Sequence, residues 1–253
     1  MRLLALNGHA RQQGPWRGAL VVQAGDGTPG VLLDPTGALA ARLETDTLLR
    51  RRAGLDQGPR AVVLTAARID QVAGLIGLRH GQPIDLYTTP SIFEDLTTTV
   101  PVLPEVQRHC DVHWRLIPVA GDQARAEFRI GQQAGLGFTA VASRSAPSGR
   151  GPAAGAVLAG PALTLGIEDA ASGRRMVWLR GRHRFGYGTG ALLEGADLIA
   201  VGAESDEPDD ALVDWLAGQA APRKWLVGGN PAARGRLERL GIEQPRDGEL
   251  FAA

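Results

Sequence analysis

The stretch Ala61-Val62-Val63-Leu64-Thr65-Ala66-Ala67-Arg68-Ile69-Asp70-Gln71-Val72-Ala73-Gly74-Leu75 decides how the rest of the chain is read. Ala61 to Leu64 are uniformly apolar, as expected of a strand covered on both faces. Thr65 to Ile69 supply a polar turn. From Asp70 the apolar spacing changes to Val72, Ala73, Leu75 and Ile76, which is one face of a helix. Asp70 stands where that helix begins and is expected to be its N-cap, a carboxylate accepting from free backbone N–H groups and worth about 1 kcal/mol.

Outward from this unit, Leu3 to Leu6, Ala19 to Val22 and Val31 to Leu33 read as short strands, with a hairpin turn at Asp26-Gly27. Leu39, Leu43, Thr47 and Leu48 mark a helix that ends in Arg50-Arg51-Arg52, a composition that suits a helix C-terminus. Ile84 to Tyr87 is the next strand, and Thr89-Pro90 is an N-cap and first-turn pair for a helix over Ser91 to Leu96. Further strands are expected at 112–117, 136–141, 163–167, 176–179, 198–201 and 225–227, with helices near Leu192, over Leu212 to Leu216 and over Ala232 to Leu240. Residues 143–160, rich in Ser, Gly, Pro and Ala without a period, read as a long flexible loop. Strand clusters with helices between and after them fit an α/β four-layer sandwich, helices outside two packed mixed sheets, in one domain over 1–253. The order of elements suggests two similar halves, the second beginning near Leu163.

The chain has 253 residues and a formal net charge of zero, which argues against nucleic acid or an anionic membrane as a partner. Lys224 is its only lysine, so arginine is abundant for compositional reasons. Cys110 is the sole cysteine, which excludes an internal disulfide and a cysteine-rich zinc site. Gly151 to Ile167 is too short and too interrupted to span a bilayer, and the expected location is the cytoplasm.

With these elements in place, the sequence resembles the pyrroloquinoline-quinone (PQQ) biosynthesis protein B family, a branch of the metallo-β-lactamase fold. Thr65, Asp70, Gly74 and Leu75 match the metallo-β-lactamase-type hydrolase pattern Thr-His-x-His-x-Asp-His-x-x-Gly-Leu, while Ala66, Arg68 and Gln71 stand at its three histidine positions. Ala61 to Thr65 followed by Ile69-Asp70 resembles the protein B family's own variant, Thr-Asp-x-x-Ile-Asp-His. Val31-Leu32-Leu33-Asp34, Val102-Leu103-Pro104, His109 to Trp114, Phe138 to Val141, Gly195 to Leu198, Arg223-Lys224 and Asp247-Gly248-Glu249 continue the likeness in order. The resemblance implies a four-layer metallo-β-lactamase-like fold, a place in PQQ biosynthesis, and metal-binding groups at 70, 71, 202 and 228. Only Asp70 keeps a ligating side chain there; the others are Gln71, Gly202 and Gly228. The family's N-terminal cysteine cluster and its Met-Gly-His segment are missing as well.

A catalytic zinc needs three protein ligands, which glycine cannot supply, so no metal and no catalytic residue is assigned. A relocated metal site built from Asp70, Glu204 and Asp206 is the alternative enzyme reading. His109-Cys110-x-x-His113 is expected on a strand, where the cysteine points away from both histidines. No Gly-x-Ser-x-Gly elbow occurs, and Gly186-x-Gly188-x-Gly190 lacks a dinucleotide-binding context. The densest basic run, Arg180 to Gly188, follows a strand at the edge where site loops are expected. Arginine forks suit carboxylates. The expectation is therefore an anion-binding cleft formed by Arg68, Arg180 and Arg182, with Gln71 alongside and Arg144 as a lid contact. Its ligand would be PQQ, a precursor or a pathway protein. The third reading is an interaction subunit, as a homodimer or paired with an active homologue through a sheet edge.

Overall fold

The computed structural model describes residues 1–7, 18–25, 27–56, 60–79, 82–131, 133–145, 162–181, 183–184 and 188–252. At its centre β4 (Arg60–Val63) lies between the parallel strands β3 (Val31–Leu33) and β5 (Ile84–Thr88). The described residues form two seven-stranded sheets. The first runs β14 (Leu250–Ala252), β1 (Arg2–Asn7), β2 (Gly18–Gln23), β3, β4, β5 and β6 (Val112–Leu116). The second runs β11 (His183–Arg184), β8 (Leu136–Ser145), β9 (Ala162–Asp169), β10 (Arg175–Arg180), β12 (Leu198–Gly202) and β13 (Arg223–Val227), with β7 (Arg125–Phe128) also paired to β8.

Alternation along β10 shows the layering. Met176 and Trp178 join the core between the sheets, whereas Val177 and Leu179 join an outer cluster with Leu212, Val213 and Leu216 of α7 (Asp210–Ala217) and Leu237 of α8 (Arg234–Arg239). In the first sheet the crossovers carry α1 (Gly37–Thr45), α2 (Thr47–Arg52), α3 (Ile69–Gly77), α4 (Pro90–Thr97) and α5 (Leu103–Gln107). Two mixed sheets packed face to face with helices outside is the expected four-layer α/β sandwich.

Several expectations change. The helix over 39–52 is two helices, because the Asp46 side chain accepts from Leu49 N at 2.9 Å and so caps α2. The long loop starts later than residue 143, since β8 continues to Ser145; residues 146–161 lie outside the described set. The second half does not begin at Leu163, because β7 and β8 already belong to the second sheet. Neither β7 nor α5 is foreseen. His109 and Cys110 fall in the turn after α5, not on a strand with His113. The Asp26 turn position lies outside the described residues.

Candidate functional site

The end of β4, the start of α3 and the ends of β3, β10 and β12 meet at one rim of the sandwich. Asp34 follows β3 with φ 48°, the one non-glycine residue with positive φ among those described. This backbone turn aims its carboxylate inward. Thr65 N and Thr65 Oγ1 donate to it at 2.7 and 2.8 Å, and Trp178 Nε1 donates at 2.8 Å from the other sheet. Complete burial raises the Asp34 pKa above its ordinary value, against the pull of Arg180 and of these donors.

Asp70 is not the N-cap of α3. That position belongs to Arg68, which makes no side-chain cap, and Asp70 lies within the first turn. Its carboxylate is instead held by two arginines. Arg180 Nη2 donates to Asp70 Oδ2 at 3.1 Å, and Arg68 Nε lies 3.5 Å from Oδ1. Arg68 Nη1 also reaches Glu204 Oε1 at 3.1 Å.

Arg180 is not a loop residue at the surface. It closes β10 on the same face as Met176 and Trp178, and its side chain is fully buried. Besides Asp70, its guanidinium donates to Asp34 O at 3.3 Å and to Ala203 O at 3.4 Å. Gln71 is buried too, its amide donating to Thr65 Oγ1 at 3.4 Å. Of the five arginine and glutamine positions expected to form an anion cleft, Arg68, Gln71 and Arg180 therefore come together, but around carboxylates of the protein itself. Asp34, Asp70 and Glu204 face these two guanidinium groups; Arg180 is fully buried among them, while the Arg68 side chain stays 40% exposed. Arg144 is a strand residue of β8 opposite Arg184, and Leu163 N, bonded to Thr65 O at 2.8 Å, brings that strand end to the same rim. Arg182 lies outside the described residues.

A metal does not fit this donor set. Gly202 and Gly228 carry no ligand, Gln71 is turned to Thr65, and Asp70 is occupied by two guanidinium groups. The relocated set fares no better, because Glu204 is paired with Arg68. Among the described residues no three His, Cys, Asp or Glu side chains are grouped to hold a metal ion. Sequence reading overlooked Asp34 as a site residue; its signal was an acidic residue directly after an apolar strand.

A site at the strand ends of a helix-covered double sheet defines the class. The chain belongs to the β-lactamase superfamily, whose domain model matches residues 30–226. Among curated proteins it is similar to coenzyme PQQ synthesis protein B. It is 28% identical to that of Nitrosococcus oceani, over 77% of this chain and 62% of that protein. It is 34% identical to that of Methylobacillus flagellatus, over 59% of this chain and 48% of that protein. The chain thus spans less than two thirds of the length of these relatives. Zinc-bound PqqB from Methylobacterium extorquens superposes with a TM-score of 0.71 at 19% identity over the whole of both chains. A diphosphatase of the PhnP family gives 0.61 at 13% identity, over 100% of this chain and 97% of that one. These structural likenesses concern the fold.

Proposed function

We propose that this chain serves PQQ biosynthesis as a non-hydrolytic binding protein, holding a carboxylate-bearing quinone precursor or a pathway protein without transforming it. The pathway rests on the similarity to PQQ synthesis protein B. The non-hydrolytic part is carried by one observation: the carboxylate of Asp70 is engaged by Arg180 and Arg68. Arg68, with its side chain 40% exposed, is the guanidinium of this pair that reaches solvent and so is the one placed to meet a ligand.

Titration calorimetry with PQQ tests the reading. Glu204→Gln releases Arg68 from its partner and is expected to tighten binding about fivefold or more, the scale of one charge-assisted hydrogen bond. Arg68→Ala is expected to abolish it. No heat at millimolar PQQ in any of the three proteins, or binding unchanged in Arg68→Ala, contradicts the proposal.

The interaction-subunit reading is favoured by a separate feature. Among the described residues strand β6 is an edge strand paired only with β5, and it exposes Trp114 and Leu116 at 41% and 52%. Leu116→Arg is expected to leave the fold intact and to remove any partner bound at that edge, read by co-purification and light scattering. Retention of the same partners sets this reading aside.

A further inference from the structure

We infer that the guanidinium of Arg180 is a permanent internal cation that takes the place of a metal ion in holding the strand ends together. The inference deepens the non-hydrolytic reading above. Three oxygens from three other segments converge on this group: Asp70 Oδ2 from α3, Asp34 O after β3 and Ala203 O after β12. A carboxylate and two carbonyls are the kind of donors a hard cation gathers. Here the cation is tethered to β10. Burying an arginine completely is tolerated only where its charge is paired and most of its donors are matched; here Asp70 pairs the charge and both Nη1 and Nη2 have acceptors.

Space points the same way. A Cβ at Gly202 would lie 3.0 Å from Arg180 Cγ and 3.0 Å from Trp178 Cη2. A side chain at position 202 would press on the arginine stem and the indole, each of which would have to give by a few tenths of an ångström. Glycine at 202 thus lets the Arg180 stem and the Trp178 indole pack closely against the end of β12. Gly181 extends the arrangement. It has φ 58°, and a Cβ there would overlap the Glu204 carboxyl carbon at 1.9 Å. Glycine at 181 lets Glu204 lie over the backbone, where it pairs with Arg68. Arg68 then covers Asp70 from the solvent side, so the carboxylate lies between two guanidinium groups. Four atoms record the imperfect match of planar groups to this frame: Arg180 Nε, Arg68 Nε, Gln71 Oε1 and Glu204 Oε1 are buried without a hydrogen-bond partner.

The test combines elemental analysis of protein grown with added zinc and melting curves with and without micromolar zinc. Four proteins are compared: wild type, Arg180→Met, Arg180→Lys and Arg180→Met/Asp70→Asn. The wild type is expected to carry substoichiometric metal and to melt at the same temperature with zinc as without. Arg180→Met leaves Asp70 short of its buried counter-charge and is expected to melt roughly 6–20 °C lower. Adding Asp70→Asn removes that charge and should return at least half of the loss. Arg180→Lys, which keeps the charge and loses the fork, should melt between wild type and Arg180→Met. If Arg180→Met fails to fold, recovery of a cooperative transition in the double variant supports the inference, and failure of both while Arg180→Lys melts like wild type overturns it. One zinc per chain that survives dialysis overturns it also, as does equal melting of Arg180→Met and the double variant. PQQ binding is not part of this readout, so the calorimetric test above can fail while this one succeeds.

Discussion

Asp70 shows how a residue retained from a pattern can change its work. At an N-cap, Asp70→Asn would be nearly neutral, because asparagine caps as well as aspartate. In the observed place the same substitution removes the buried partner of Arg180. Its expected cost is about 3–5 kcal/mol, the range for breaking a buried ion pair from one side. Urea denaturation of wild type and Asp70→Asn distinguishes the two roles, and a loss under about 1 kcal/mol would restore the cap. Asp34 carries a different signature. Its pKa is raised, so the folded chain binds a proton more tightly there than the unfolded one does. That contribution to stability is full below the ordinary aspartate pKa and is lost as pH rises through the raised value.

At the scale of elements, strands and helices were legible where periodicity was unambiguous. The apolar run before Thr65 gave β4, and Thr89-Pro90 gave the start of α4, where Thr89 Oγ1 accepts from Ile92 N at 3.3 Å. The split of α1 from α2 was harder to see, since Leu39, Leu43 and Thr47 keep one stripe across it. Asp46 decides it by capping the second helix, and Asp46→Ala is expected to cost about 1 kcal/mol by chemical denaturation. The site itself was legible only in part. Its frame was visible in Thr65 and Asp70, but one residue of strand length misplaced Arg180. Ending β10 at Leu179 leaves Arg180 as the first residue of a basic loop; extending it by one puts the side chain on the inner face with Trp178. Ion pairing between distant segments leaves no local trace, which is why Glu204 read as a spare ligand instead of the partner of Arg68. Beside β13, Glu243 accepts from Arg223 and from Trp225 Nε1, and the Arg223 hydrogen bonds hold its pKa below the usual glutamate value. A depressed carboxylate stabilises above its unfolded pKa and loses that contribution as pH falls through the folded one. Denaturation followed between about pH 3 and 6 is expected to show a shallower acid loss for Glu243→Gln than for wild type; identical slopes would contradict this.

At the scale of the whole molecule, the two sheets are tied at the rim by polar contacts in addition to the apolar core. Trp178 and Arg180 of the second sheet both bond Asp34 of the first, so the site is a clasp between the layers. No described helix is long and apolar enough to cross a membrane. At this rim the sandwich is held by ion pairs within the chain, Arg180 on Asp70 and Arg68 on Asp70 and Glu204. Diffraction from crystals grown with millimolar zinc, collected at the zinc absorption edge, examines this most directly. The expected map shows the Arg180 guanidinium on the Asp70 carboxylate and no anomalous peak at the rim. A zinc peak bound to Asp70, with Arg180 turned away from it, would contradict the claim that an arginine has replaced the metal.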